Sequence, residues 1–375
     1  MSNRDRRRPV LWLAAVLAVT VAAFGASALR ASDGGANLYT VTNLVSDQPG
    51  VAPVMDPNLV NGWGLTRLAG SPWWVADNET DKSTLYNGSG APQALVVSVP
   101  GGPTGAAANG GSAFVVHSGP ASGAARFLFA NEDGQLYGWS PNVPAAGSTT
   151  ATLADAVPGA IFKGLTLSGD RLYASDFHMN RVIVWNSAFT RITVPGGFVD
   201  PNLPDGYAPF GIQAVDQRIF VSYARQDEDA EDELAGRGLG IVDMFDRDGN
   251  LLGRVGSHNF LNAPWGVTRA PAGFGPFSGD LLVGNFGDGR ILAFEPFGAC
   301  RFEAGINFGE ASSPRPCFLD RGPLRGANHL PISIDGLWGI GFGAGNANSG
   351  PANTLFFAAG PDEEEHGLFG TVVAG

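Results

Sequence analysis

Apolar and polar positions alternate in short bursts along this chain. The clearest burst runs from Lys163 to Asn186, KGLTLSGDRLYASDFHMNRVIVWN. Gly164 to Leu167, Arg171 to Ala174 and Arg181 to Trp185 combine a period of two with β-branched or aromatic residues, which predicts three strands. Ser168-Gly169-Asp170 and His178-Met179-Asn180 interrupt them with turn residues. The phrase recurs. Its opening glycines, Gly64, Gly105, Gly164, Gly211, Gly266 and Gly339, stand 41, 59, 47, 55 and 73 residues apart. A second repeat agrees with this phasing: Asp56-Pro57-Asn58-Leu59 precedes the first unit and Asp200-Pro201-Asn202-Leu203 the fourth.

Repeated four-strand units of this size predict an all-β fold, a six-bladed β-propeller. The sixth unit reads as three strands only, while the strand-like stretch Leu38 to Val45 has no neighbour in sequence. Pairing the two would close the ring and remove an exposed edge. The opening glycines would let the innermost strands crowd the axis. Trp63, Trp265 and Trp338 lie in the openings and are expected in blade-to-blade core. Trp73 and Trp74 are adjacent, so on a strand one of them is expected to face outward.

Composition supports the pattern. With 54 Gly, 26 Pro and only 15% charged residues, the chain carries too many breakers for a helical protein. A formal net charge of −12 argues against nucleic acid, whose phosphates need a basic surface. It leaves cations and basic partners open.

The first residues read as a signal peptide. Arg4, Arg6, Arg7 and Arg8 precede an apolar run from Val10, and Ala26-Ser27-Ala28 is a small-x-small cleavage signal. Arg7-Arg8-Pro9 also resembles a twin-arginine export signal, and an uncleaved anchor is the rival reading. The expected plan is a signal peptide over 1–28, a linker over 29–37 and the propeller over 38–375. No second apolar stretch is long enough to span a bilayer, so no stable membrane span is expected after processing. The expected location is periplasmic or extracellular. Cys300 and Cys317 are the only cysteines. In an exported chain they are expected to form a disulfide, stapling an insertion at about 298–333 and contributing about 3 kcal/mol in the chain-entropy model.

A family resemblance rests on longer phrases: DPNLVNGWGL (56–65), WVADNETDKSTLYNG (74–88), LYASDFHMNRV (172–182), DPNLPDGYAPFGI (200–212), LLVGNFGDGRILAF (281–294) and NTLFFAAGPDEEEHGLFG (353–370). Over most of its expected mature length the chain resembles an uncharacterised family of exported bacterial β-propeller proteins. More distantly it is similar to NHL-repeat and gluconolactonase-like propellers. The resemblance implies the fold and export, and it names no activity.

In a propeller, the loop after each second strand shares a face with the blade-to-blade connections. These loops carry Asp77-Asn78-Glu79, Asn131-Glu132-Asp133, Asp176-Phe177-His178, Arg225 to Asp232, Asn285-Phe286-Gly287-Asp288 and Asp362 to His366. Asp77, Asn131, Asp176 and Asn285 are therefore candidates for a ring of oxygen ligands suited to Ca²⁺ or Mg²⁺. The same residue types cap turns, and a repeat repeats its turn residues. His178 and His366 are candidate general bases. In gluconolactonase-like propellers a carboxylate-bound cation polarises a lactone carbonyl, which is the reaction that resemblance would imply. The run Asp227 to Glu233 lacks the spacing of an EF-hand and reads as a solvated loop. Gly284 to Gly289 is followed by no helix, so no nucleotide cofactor is expected. Gly-x-Ser-x-Gly is absent, which excludes a nucleophile elbow.

Two functions follow. The first is a binding or scaffold module of the cell envelope or exterior, taking a small molecule, glycan or protein at the loop-rich face. The second is a divalent-metal-dependent lactonase or ester hydrolase at the channel mouth.

Overall fold

The computed structural model describes residues 35–300 and 315–375. The expected signal peptide and residues 29–34 of the expected linker lie outside the described residues. Within Ser32–Gly375, which forms one compact unit, the alternating stretches become six blade sheets whose four main strands run antiparallel. Blade 1 is Gly62–Thr66, Trp73–Asp77, Lys82–Tyr86 and Val97–Ser98; blade 2 is Pro103–Ala108, Phe127–Asn131, Gln135–Trp139 and Thr152–Ala156. Blade 3 is Phe162–Ser168, Arg171–Asp176, Arg181–Asn186 and Arg191–Ile192; blade 4 is Tyr207–Val215, Arg218–Gln226, Ile241–Phe245 and Leu251–Ser257. Blade 5 is Pro264–Arg269, Leu281–Asn285, Ile291–Cys300 and Arg315–Pro323. Blade 6 takes Leu337–Phe342, Leu355–Ala359 and Leu368–Ala374 from the chain's end and its fourth strand, Tyr39–Ser46, from the start, with the short strand Val54–Met55 parallel along its outer edge.

That last pairing closes the ring as the spare strand suggested. Tyr39 pairs with Ala374 and Ser46 with Leu368, antiparallel. The uneven repeat intervals are insertions. A hairpin, Val115–Ser118 with Ala121–Ala124, lengthens blade 2. In blade 4 a short strand, Glu233–Leu234, pairs back onto the end of the second strand.

The six inner strands touch in cyclic order, with blade 6 returning to blade 1. Each opening glycine makes one of these approaches possible. A side chain on Gly64 would press on Thr104 and Ala106, on Gly105 on Leu165, and on Gly164 on Phe210 and Ile212. On Gly211 it would press on Trp265, on Gly266 on Trp338, and on Gly339 on Trp63 and Leu65. The contact at each is with the next blade's backbone, which cannot give way as a flexible side chain can.

Between blades the core is a ring of apolar clusters, one at each of the six interfaces among the described residues. This arrangement corrects the expectation for Trp73 and Trp74. Both are buried, at 2% and 3% exposure. Trp73 packs on Phe356 of blade 6 and Trp74 on Phe127 of blade 2. A blade has a neighbour on each face, so alternation along its strand leads into two cores and not into core and solvent.

Trp63, Trp265 and Trp338 also differ from the simple blade-to-blade expectation. They meet each other at the inner strands, with Trp63 and Trp338 stacked at 3.7 Å and Trp265 edge-on to Trp338 at 5.8 Å. Phe177 and Phe210 join them from blades 3 and 4, forming a seventh cluster that plugs the axis.

The repeated Asp-Pro-Asn-Leu phrase is structural. Asp56 and Asp200 each accept the amide of the asparagine two residues on, at 2.9 Å. The other oxygen of Asp56 accepts the Tyr86 hydroxyl at 2.9 Å, and that of Asp200 accepts Arg254. Arg254 also binds Asp243 at 2.9 Å, and the side chains of Asp200 and Asp243 are fully buried. Cys317 is buried and is not a free thiol. The side chain of Cys300 lies outside the described residues. Among the described residues, no helix is long and apolar enough to cross a membrane.

Candidate functional site

The loops after the second strands do share one face, and each candidate residue there can be placed. Asp77 is fully buried at the end of its strand and turns back into its own hairpin. It accepts the Thr84 amide at 2.8 Å and the Thr84 hydroxyl at 3.2 Å. Burial raises its carboxyl well above the usual range, and the bonds from Thr84 offset this only in part. Asn131 donates to Pro100 O and Gln135 Oε1 and accepts the Gln135 amide at 2.7 Å. Asp176 accepts Arg181 Nε at 2.7 Å and the amides of Ile161 and Met179 at 3.3 Å. Asn285 donates to Phe260 O and Asp288 Oδ1, while its own Oδ1 is buried with no partner among the described residues. Turn chemistry thus occupies most of these groups. Among the described residues no group of three or more His, Cys, Asp or Glu is arranged to hold a metal ion.

His178 Nδ1 lies 3.1 Å from the Ala230 carbonyl, so that nitrogen is the donor. His366 Nδ1 lies 2.8 Å from Asp47 Oδ2, and this bond raises its pKa. The second oxygen of Asp47 accepts the Gly367 amide. This contact ties the turn after the N-terminal strand to the last blade.

What the structure gathers at the axis is largely the residue after each candidate. Asn78, Glu132, Phe177 and Phe286 follow Asp77, Asn131, Asp176 and Asn285. Phe177 belongs to the axial plug, and Phe286 packs on it by stacking against Trp338 at 4.0 Å. Asn78 and Glu132 join a polar network above the tryptophans. Asn78 Nδ2 donates to Glu132 Oε2 at 3.1 Å, and Asn61 Nδ2 donates to Glu364 Oε2 at 2.6 Å. Trp338 Nε1 donates to Asn61 Oδ1 at 3.0 Å.

The centre of the network is Lys163, at the start of blade 3. It is 1% exposed. Its ammonium binds Glu132 at 2.6 Å and Asp232 at 2.9 Å and stands 5.3 Å from the Trp63 ring. Trp265 Nε1 donates to the Lys163 carbonyl at 2.9 Å. Burial alone would pull the ammonium's pKa down, but Glu132, Glu233 and Asp232 outweigh it and hold it above the ordinary lysine range. Asp232 comes from the acidic run, which is the tip of the blade 4 hairpin and not a loop free of contacts. Burial pushes Glu233 up to about 8, only partly offset by Lys163. Burial likewise raises Glu364, against the Asn61 hydrogen bond.

Two carboxylates, Glu132 and Asp232, contact the ammonium, and the Glu233 and Glu364 carboxyls lie within its electrostatic reach. Glu132 and Asp232 answer its charge. Glu233 and Glu364 are half-buried and make no ion pair among the described residues, although the Lys163 charge lowers the pKa of both and Asn61 donates to Glu364. The sequence did contain a signal for this centre. Lys163 is the one charged residue in Ala160-Ile161-Phe162-Lys163-Gly164-Leu165, immediately before an opening glycine.

Comparison with known proteins places the chain among relatives. No family model matches it. An uncharacterized protein of Acanthamoeba polyphaga mimivirus is 31% identical over 347 residues, covering 89% of this chain and 80% of that protein. The chain belongs to the family of that protein. Among solved structures, a Bacteroides thetaiotaomicron protein of unknown function is similar with a TM-score of 0.52 and 10% identity, over 89% of this chain and 76% of that one. A Xanthomonas campestris gluconolactonase gives 0.40 and 13%, over 85% and 98%. The likeness to the Bacteroides protein is one of fold alone.

Proposed function

We propose that this protein is a binding module whose loop-rich mouth takes a cationic group, an amine or guanidinium carried by a small molecule or by a basic peptide segment. The pairing state of the mouth carries this reading. Lys163 is already neutralised by Glu132 and Asp232, and Glu233 and Glu364 stand half-buried with no ion pair among the described residues, so a ligand cation would satisfy them. Exposed carboxylates flank them: Glu228, Asp229 and Glu231 on the blade 4 hairpin, and Glu363 and Glu365 in the loop between the second and third strands of blade 6. Such a field steers basic ligands toward the axis. The aromatic plug beneath closes the channel, so the ligand stays at the mouth.

Titration of the full chain with a lysine pentapeptide tests this. Affinity should fall as salt rises, and it should increase as pH rises through about 8, where Glu233 loses its proton. The hydrolytic alternative has less support, because Asp77, Asn131 and Asp176 already direct their oxygens to hairpin donors.

We also propose that the protein is exported, as in the bacterial family it resembles, and that Cys300 and Cys317 form a disulfide. Intact-mass analysis after expression with the leader in an exporting bacterial host tests both points. The expected species starts at Leu29 and reacts with a thiol reagent only after reduction. An unprocessed mass, or free thiols before reduction, contradicts the corresponding proposal.

A further inference from the structure

Two adjoining cavities lie at the opposite end of the blades from the mouth. Here the turns joining first to second strands and third to fourth strands come together. Between blades 4 and 5 the interface core does not close at this end. Blade 5's third and outer strands, ten and nine residues long, form an extended hairpin. Pro296, Pro316 and Phe318 of that hairpin stand off from Phe220 and Met244 of blade 4, leaving an apolar crevice of about 160 Å³ floored by Leu281. Phe220 and Phe318 meet edge-on at 6.4 Å across it.

The crevice opens through Asp216 and Arg218 into a polar bay of about 730 Å³ between the turns of blades 3 and 4. Most of the bay's charges are spoken for. Arg171 pairs with Asp248, Arg247 with Asp170, and Arg269 at the rim with Asp216. Asp246 accepts the amides of Asp248 and Asn250 and the Asn250 side chain. Arg218 is exposed, lines both cavities and has no ion pair among the described residues.

We propose that the crevice and Arg218 together bind a small anion with an apolar tail, a medium-chain carboxylate. The charge argument selects the head group: the carboxylates of the bay are engaged, and the guanidinium left over matches a carboxylate with two parallel hydrogen bonds. Size selects the tail. An apolar cavity of about 150 Å³ takes a benzene-sized guest, so the crevice admits the end of an alkyl chain while the head remains in the wet bay. This site is independent of the mouth, and its failure would leave the mouth reading untouched.

Calorimetric titration of the full chain with octanoate, 1-octanol and octylammonium is the test. Octanoate should bind at least about tenfold more tightly than the other two, a tenfold ratio being 1.4 kcal/mol. Arg218→Glu, at an exposed position that should not disturb folding, should erase that preference. Met244→Trp, which fills the crevice, should abolish octanoate binding while leaving peptide binding at the mouth intact. If Met244→Trp does not fold, Arg218→Glu alone decides. No octanoate binding at millimolar concentration, or equal binding by the Arg218→Glu chain, overturns the proposal.

Discussion

Replacing Arg254 by methionine is expected to lower stability by about 3–5 kcal/mol, because it leaves two fully buried carboxylates without their cation. In a chain of this size that corresponds to a fall of roughly 4–7 °C in the thermal midpoint. The cost belongs to the orphaned charges and not to the lost side chain, so it should be recoverable. Arg254→Met combined with Asp243→Leu and Asp200→Asn removes the charges together and should regain most of the loss. Urea unfolding of the single and triple variants checks this. A single variant within about 0.5 kcal/mol of the parent would mean that Asp200 and Asp243 do not depend on Arg254 for their burial.

The second large effect is at Gly211. Its missing side chain faces the backbone of Trp265, and its amide donates to the Ser222 hydroxyl at 3.0 Å. Gly211→Ala puts a methyl group where a peptide already sits, so blades 4 and 5 must separate. The expected cost is about 3 kcal/mol or more, at or above the upper end for overpacking. Gly70→Ala is the control. Gly70 has open space where a side chain would go, and the change there should stay within about 0.5 kcal/mol. Equal, small effects at both positions would contradict the view that the glycines set the blade-to-blade approach.

Gly211 also shows why the blades could be read from sequence. A backbone-to-backbone approach repeated six times leaves a repeated residue, and the glycines record it. The spare strand was legible for a similar reason, since a ring with three strands in its last blade needs a fourth from elsewhere. The axis was harder to read. Asp77 and Asn78 are adjacent and both polar, and nothing in the sequence says which one turns into its hairpin. The geometry of the strand end decides: the last strand residue caps the turn, and the next one points to the axis. Lys163 was harder still. Its partners come from positions 132 and 232, and only the closed ring brings those loops together. Trp73 and Trp74 failed a rule made for sheets with one wet face.

The most direct test of the mouth is calorimetric titration of the full chain with a lysine pentapeptide at low salt and above about pH 8, where Glu233 is ionised, repeated with the Glu233→Gln, Glu364→Gln double variant. Both substitutions keep the shape and remove the charge of the two carboxyls that make no ion pair among the described residues. The expected result is salt-sensitive binding by the parent chain that weakens at least about tenfold, or 1.4 kcal/mol, in the double variant. Absence of binding by the parent, or equal binding by the double variant, would contradict a cation site at the mouth.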